Sequence, residues 1–199
     1  MIEAAQKAGV SHLVYTSAPK ADISTLVLAP EHKATEAIIR SSGLTYTFLR
    51  NGWYNENYQA SIEQAVRTGG FIGSAGNGRV ASAARADFAA AAVAVLTGEG
   101  HENKIYELSG EVTWTYADLA AEIGKVTGKQ VVYTDLTPEQ HKAALTTAGL
   151  PEQVIEMVVR LDADTKHGLL SDTSGELRTL IGRAPTPITT TIAEIVKEI

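Results

Sequence analysis

The sequence predicts an α/β fold built on a parallel sheet, and three observations carry that prediction. Near the N-terminus a helical segment (2–8), a stop at Gly9 and a short apolar strand (12–17) follow one another, the rhythm of a parallel α/β sheet. A helix over 30–42, closed by Gly43, then leads into a second strand over 45–49, and two strands joined through a helix are parallel with a right-handed crossover. That second strand runs into Asn51-Gly52-Trp53-Tyr54-Asn55, a polar and aromatic turn at the carboxyl edge of the sheet, where open parallel sheets bind their ligands.

Each element has its own warrant. In the second strand Thr45, Thr47 and Leu49 alternate with Tyr46, Phe48 and Arg50, a β-branched and aromatic pattern that fits a mostly buried strand. Asn51 and Gly52 tolerate left-handed backbone, which predicts a sharp turn there. Pro30 suits the first turn of the preceding helix, whose apolar face carries Ala34, Ala37, Ile38 and Ile39. A helix over 55–67 ends at Gly69-Gly70, and the turn-rich loop 74–78, flanked by 71–73 and 79–81, predicts a β-hairpin or an extended excursion. The alanine-rich run 86–96 is helical, 104–109 is a strand and 115–126 is a helix with Leu119, Ala120 and Ile123 facing inward. A short strand over 131–133 and helices over 138–148, 151–161 and 188–199 complete the chain. Many helices and few strands after residue 100 predict a smaller, mainly helical cap beside the sheet.

Composition narrows the function. With 199 residues, 44% of them hydrophobic, the chain can bury one core and a subdomain. A formal charge of −6 without a local Lys/Arg cluster opposes binding to a phosphate backbone, so no nucleic-acid partner is expected. Cysteine is absent, which excludes disulfides, thiolate metal sites and a Cys nucleophile. No run approaches the roughly 18 apolar residues of a membrane span, and a cytoplasmic protein with no membrane partner is expected. The five histidines are dispersed without ligand spacing, so no metal is expected. The oligomeric state stays open, a homo-oligomer included.

The blocks His12–Ala18 (HLVYTSA), 31–36 (EHKATE), 49–58 (LRNGWYNENY), 71–78 (FIGSAGNG) and 82–88 (SAARADF) resemble, in that order, the NmrA-like, atypical short-chain dehydrogenase/reductase family, and within it bacterial NAD(P)H:quinone oxidoreductases. The resemblance implies a partial Rossmann-type sheet over 1–110, a substrate-side cap over 111–199 interleaved with it, NADPH as cofactor and a quinone as substrate. Members open with a G-x-x-G-x-x-G turn that holds the cofactor pyrophosphate at a helix N-terminus, whereas the glycine clusters here, 69–70 and 73–78, come after the second strand and open no helix. Two readings follow: a C-terminal fragment of a longer chain, which is favoured, or a natural short form that has lost cofactor binding.

By the same resemblance, Ser17 falls at the serine place of the Ser, Tyr and Lys set of short-chain dehydrogenases, His32 at the lysine place and Leu28 at the tyrosine place. The usual acid is missing. Quinone reduction tolerates that loss, because hydride addition yields a phenolate-like oxyanion that solvent or a weak donor protonates. The resemblance therefore implies Asn51 and His32 as catalytic candidates, Ser17, Asn51 and Gly52 as cofactor contacts, and Trp53 and Tyr54 as the aromatic wall for the substrate, unless these two rings merely pack sheet against cap. Arg85 and Asp87 suggest a structural pair or a helix cap. Beside the oxidoreductase stand two other functions: a non-catalytic NAD(P)-sensing regulatory module, and an inactive fragment.

Overall fold

The computed structural model describes residues 1–199. In chain order its regular elements begin with α1 (Ile2–Lys7), β1 (His12–Ser17), α2 (Ala29–Ser41) and β2 (Thr45–Asn51). A single 3₁₀ turn (Asn55–Tyr58) follows, then α3 (Gln59–Thr68), β3 (Gly70–Gly73), α4 (Arg85–Thr97) and β4 (Lys104–Leu108). The remainder is α5 (Tyr116–Thr127), β5 (Val132–Asp135), α6 (Pro138–Thr147), α7 (Glu152–Lys166), α8 (Glu176–Ile181) and α9 (Ile188–Glu198). The larger sheet has the order β1-β2-β4 and is parallel throughout, with Ser17 opposite Arg50 and Asn51 opposite Leu108. The three expected strands and the crossover through α2 are therefore all present.

Strand β2 is central, so both of its faces are covered. On one face Leu49, with Leu108 of β4, packs against Phe88, Ala91 and Val95 of α4 and Leu177 of α8. The alternate residue Arg50 turns to the other face and meets Glu36 of α2. The second layer is a separate apolar core in which Ile62 of α3, Phe71 of β3, Leu119 and Ile123 of α5 and Ile192 of α9 come together.

Three local expectations change. The loop 74–78 does not close a hairpin: β3 pairs in parallel with β5, Phe71 opposite Tyr133, while Val80 makes a lone antiparallel bridge to Trp114. The loop instead lies against the end of α7, where a Cβ on Gly78 would stand 2.4 Å from the Thr165 carbonyl oxygen. Only glycine permits that approach. Helix α7 runs five residues beyond the expected Leu161, because Asp162, Asp164 and Thr165 are buried and hydrogen-bonded. The segment 55–67 is not one helix but a 3₁₀ turn feeding α3, and α8, which carries no periodic signal, buries Leu177.

A charged cluster joins α2 to the carboxyl edge of the sheet. The Arg50 guanidinium donates to both Glu36 oxygens, Nε at 2.9 Å and Nη2 at 2.7 Å, and its Nη1 reaches Asp22 at 2.7 Å and Glu107 of β4 at 2.9 Å. Ser17 of β1 donates to Glu36 at 2.7 Å. Burial works against the Glu36 charge, but the Arg50 and Ser17 hydrogen bonds outweigh it and hold the carboxyl below its ordinary value of 4.5. A carboxylate whose folded pKa is depressed stabilises the fold above its unfolded pKa and loses that contribution as pH falls through the folded value. Thermal stability is therefore expected to decline as pH drops below about 4.5. Replacing Glu36 by Gln should cost about 2 to 4 kcal/mol at pH 7 and flatten the acid limb; equal acid sensitivity of wild type and Glu36→Gln in melting curves would show that other carboxylates govern it.

Candidate functional site

The site is built where β2 ends. Arg50 anchors the strand from one face, and the next residues, Asn51 and Gly52, pass the edge of β4. Gly52 N–H donates to the Leu108 carbonyl at 2.6 Å, and a Cβ on Gly52 would stand 2.7 Å from that oxygen. Its backbone is not left-handed, so the turn predicted from left-handed tolerance is replaced by close approach: glycine is required here for space. Beyond it, Tyr54 bridges in parallel to Ala83, with Ala83 N–H donating to Trp53 O and Asn55 N–H to Ala83 O.

This course sorts the expected site residues. Asn51 is 9% exposed; its Nδ2 donates to the Tyr54 hydroxyl at 3.2 Å, and its Oδ1 is sealed from water without a partner. The Tyr54 ring packs edge-on against Phe88 with centroids 5.1 Å apart, and the Arg85 guanidinium lies over it at 5.4 Å. Trp53 is half-buried against the second core. Asn55 is fully buried and structural: its Nδ2 donates to Thr186 O and Thr191 Oγ1, and its Oδ1 accepts from Ser82, which in turn accepts from the Trp114 indole. His32 shares a hydrogen bond of 2.8 Å with the Tyr15 hydroxyl through Nδ1. Ser17 spends its proton on Glu36, leaving only lone pairs for a ligand.

One cleft of about 360 Å³ is lined by Ser17, His32, Asn51, Gly52, Trp53 and Tyr54 together, with Leu26, Leu28 and Arg85 completing its wall. A smaller cavity of about 260 Å³ adjoins it through Pro19, Gly52 and Trp53 and is bordered by Lys20 and Asp172, which form an ion pair. Asp87 does take a structural ion pair, but with Arg183 at 2.6 Å and the Thr186 N–H, not with Arg85. No three His, Asp or Glu side chains converge as a metal site would require, and no helix is long and apolar enough to cross a membrane. Sequence reasoning missed Tyr15 and the charged partners of Arg50. The alternation of β1 would have placed Tyr15 on the face of Ser17, but nothing local pairs it with His32.

A sequence model described as the NmrA-like family matches residues 1–186. The chain belongs to this family. Quinone oxidoreductase 2 of Escherichia coli strain K12 is 48% identical over 199 residues, all of this chain and 68% of that protein. The crystal structure of the E. coli NADPH-dependent quinone oxidoreductase complexed with NADPH superposes with a TM-score of 0.94 at 47% identity, covering 98% of this chain and 69% of that one. The Citrobacter sp. triphenylmethane reductase complexed with NADP(H) gives 0.92 at 38% identity, covering 98% and 68%. These likenesses show the Rossmann-type α/β fold and the family that the sequence blocks imply. Because a methyl group at Gly52 meets backbone, Gly52→Ala should shift the edge of β4 and lower stability by about 1 to 3 kcal/mol; an unchanged melting temperature would refute that packing account.

Proposed function

We propose that the cleft at the carboxyl edge of the larger sheet reduces quinones with NADPH. Asn51 carries the reading: it is buried, it lines the cleft together with Trp53 and Tyr54, and its Oδ1 lacks a partner. A sealed acceptor left unpaired costs about 1 to 3 kcal/mol, and a small rotation of the side chain toward a nicotinamide carboxamide N–H would remove that cost. The E. coli relative crystallised with NADPH supports the same assignment.

The residues fit the nicotinamide end of the cofactor. Its diphosphate would need backbone amides of a glycine-rich turn that opens a helix, and the run here with G-x-x-G-x-x-G spacing, Gly70 to Gly76, forms β3 and the loop after it and opens no helix. Bound NADPH supplies a hydride. The chain contributes orientation through the Asn51 amide and flat apolar contact through Trp53 and Tyr54. Leu26 and Leu28 present apolar side chains that displace water from the cleft. His32, with one ring nitrogen committed to Tyr15, is a secondary proton source, because a phenolate-like oxyanion does not demand a strong acid.

A second reading, a sensor that binds the cofactor without catalysis, draws on Leu28, which lines the cleft where the family resemblance places a tyrosine acid. Saturable NADPH binding with no quinone turnover would favour it.

Two outcomes are expected. A polypeptide of these 199 residues should bind NADPH no tighter than about 0.1 mM, or −5.5 kcal/mol, and micromolar binding by titration calorimetry would disprove the account of the phosphate end. At millimolar NADPH, Asn51→Ala should lower kcat/KM for a benzoquinone by about 10- to 100-fold and His32→Ala by less; the reverse order would overturn the assignment of the two roles.

A further inference from the structure

A second cavity, of about 440 Å³, lies between α3, β3 and the α6–α7 hairpin and shares Trp53 and Asn57 with the cleft. Its walls are apolar, with Phe71, Leu145 and Leu161 prominent, and its floor holds a buried polar group that the cleft does not use. His141 is 2% exposed and Asp162 5% exposed. His141 Nδ1 lies 3.1 Å from Ser74 Oγ and 3.3 Å from Asp162 Oδ2. The same carboxylate accepts the Ser74 N–H at 2.6 Å, the Ser74 hydroxyl at 3.3 Å and the Tyr116 hydroxyl at 2.8 Å. With Ser74 donating to Asp162, both neighbours of Nδ1 act as acceptors, which places a proton on Nδ1 and directs the ring.

That leaves Nε2. It has no hydrogen-bond partner, and unlike the Tyr58 hydroxyl at the same cavity it is not sealed from access. A buried imidazole held by a carboxylate, with its far nitrogen open to an apolar cavity, is the arrangement of a proton donor and acceptor. The other ionisable groups around it are Tyr58, Tyr116 and Tyr133. Burial, the largest influence on each, raises Tyr58, Tyr116 and Tyr133 above the ordinary phenol range, so all three stay protonated and none competes for the role at neutral pH.

Resting on the proposed quinone reduction, we propose that this cavity is the acceptor subsite, that it takes a planar aromatic carbonyl compound larger than one ring, and that His141 Nε2 meets one of its carbonyl oxygens. Protonated His141 donates Nε2–H to that oxygen; once the acceptor has gained a hydride, the proton passes to the resulting oxyanion. The product hydroxyl then donates to the neutral Nε2, and solvent restores the proton. Asp162 is the positioning residue. Trp53 is the wall common to the subsite and the nicotinamide cleft.

The test uses 2-methyl-1,4-naphthoquinone, first without NADPH, so that binding is measured apart from turnover. Titration calorimetry should give saturable binding to the wild-type chain. Leu145→Trp, which fills the cavity, should weaken binding at least tenfold at an unchanged melting temperature. His141→Gln should weaken it less and lower kcat more than it raises KM, whereas a purely structural role would lower stability and leave that ratio alone. No binding by wild type, or equal binding by Leu145→Trp, overturns the subsite. Binding that Leu145→Trp abolishes, with no NADPH-dependent turnover in wild type, keeps the subsite and removes the quinone-reductase reading instead.

Discussion

The ion pair between Arg50 and Glu36 is the constraint on which the site rests. Both side chains are buried, and a lone charge there would be too costly to keep, so each holds the other in place. Arg50 is the penultimate residue of β2, and its guanidinium also reaches Glu107 on β4 and Asp22 in the connection after β1. Ser17 at the end of β1 closes the set on Glu36. Five segments are thereby tied together one residue before Asn51. The carboxyl edge of the sheet is held in one arrangement, and Asn51 and Gly52 inherit it.

A second tier of buried polar contacts fastens this edge to the rest of the chain. Asn55, Ser82, Trp114 and Thr191 form one hydrogen-bonded line from the site loop to α9. Asp87 at the start of α4 holds Arg183 and the Thr186 amide, and Asp164 near the end of α7 accepts the Val27 amide. Each such group is satisfied by residues far away in sequence, which confers specificity more than net stability, since paired polar groups return little free energy on burial. Against that background the two sealed and unpartnered atoms, Asn51 Oδ1 and the Tyr58 hydroxyl, stand out. Both lie at cavities joined by Trp53.

Much of the architecture is legible along the chain because it depends on short-range pattern. Period-two alternation in 45–49, glycine stops after helices and proline at helix starts are local properties, and they place β1, β2 and β4 and most helices. The crossover rule then makes the sheet parallel, and the carboxyl edge after Leu49 follows as the ligand side. The family blocks bring Ser17, His32, Asn51, Gly52, Trp53 and Tyr54 to attention, and the fold does gather these six at one cleft.

What the tertiary structure alone decided is the state of each of those groups. Whether Ser17 has a proton to give, which partner Asp87 takes and why Gly52 cannot carry a methyl group all depend on residues brought near by packing. The His141 and Asp162 pair is the sharpest case: Ser74 and His141 are 67 positions apart, and Asp162 lies one residue past the helix end expected at Leu161. Periodicity records which face of an element is apolar. It carries no information on desolvation or on which distant donor meets which acceptor, and those two terms set the chemistry of a buried polar side chain.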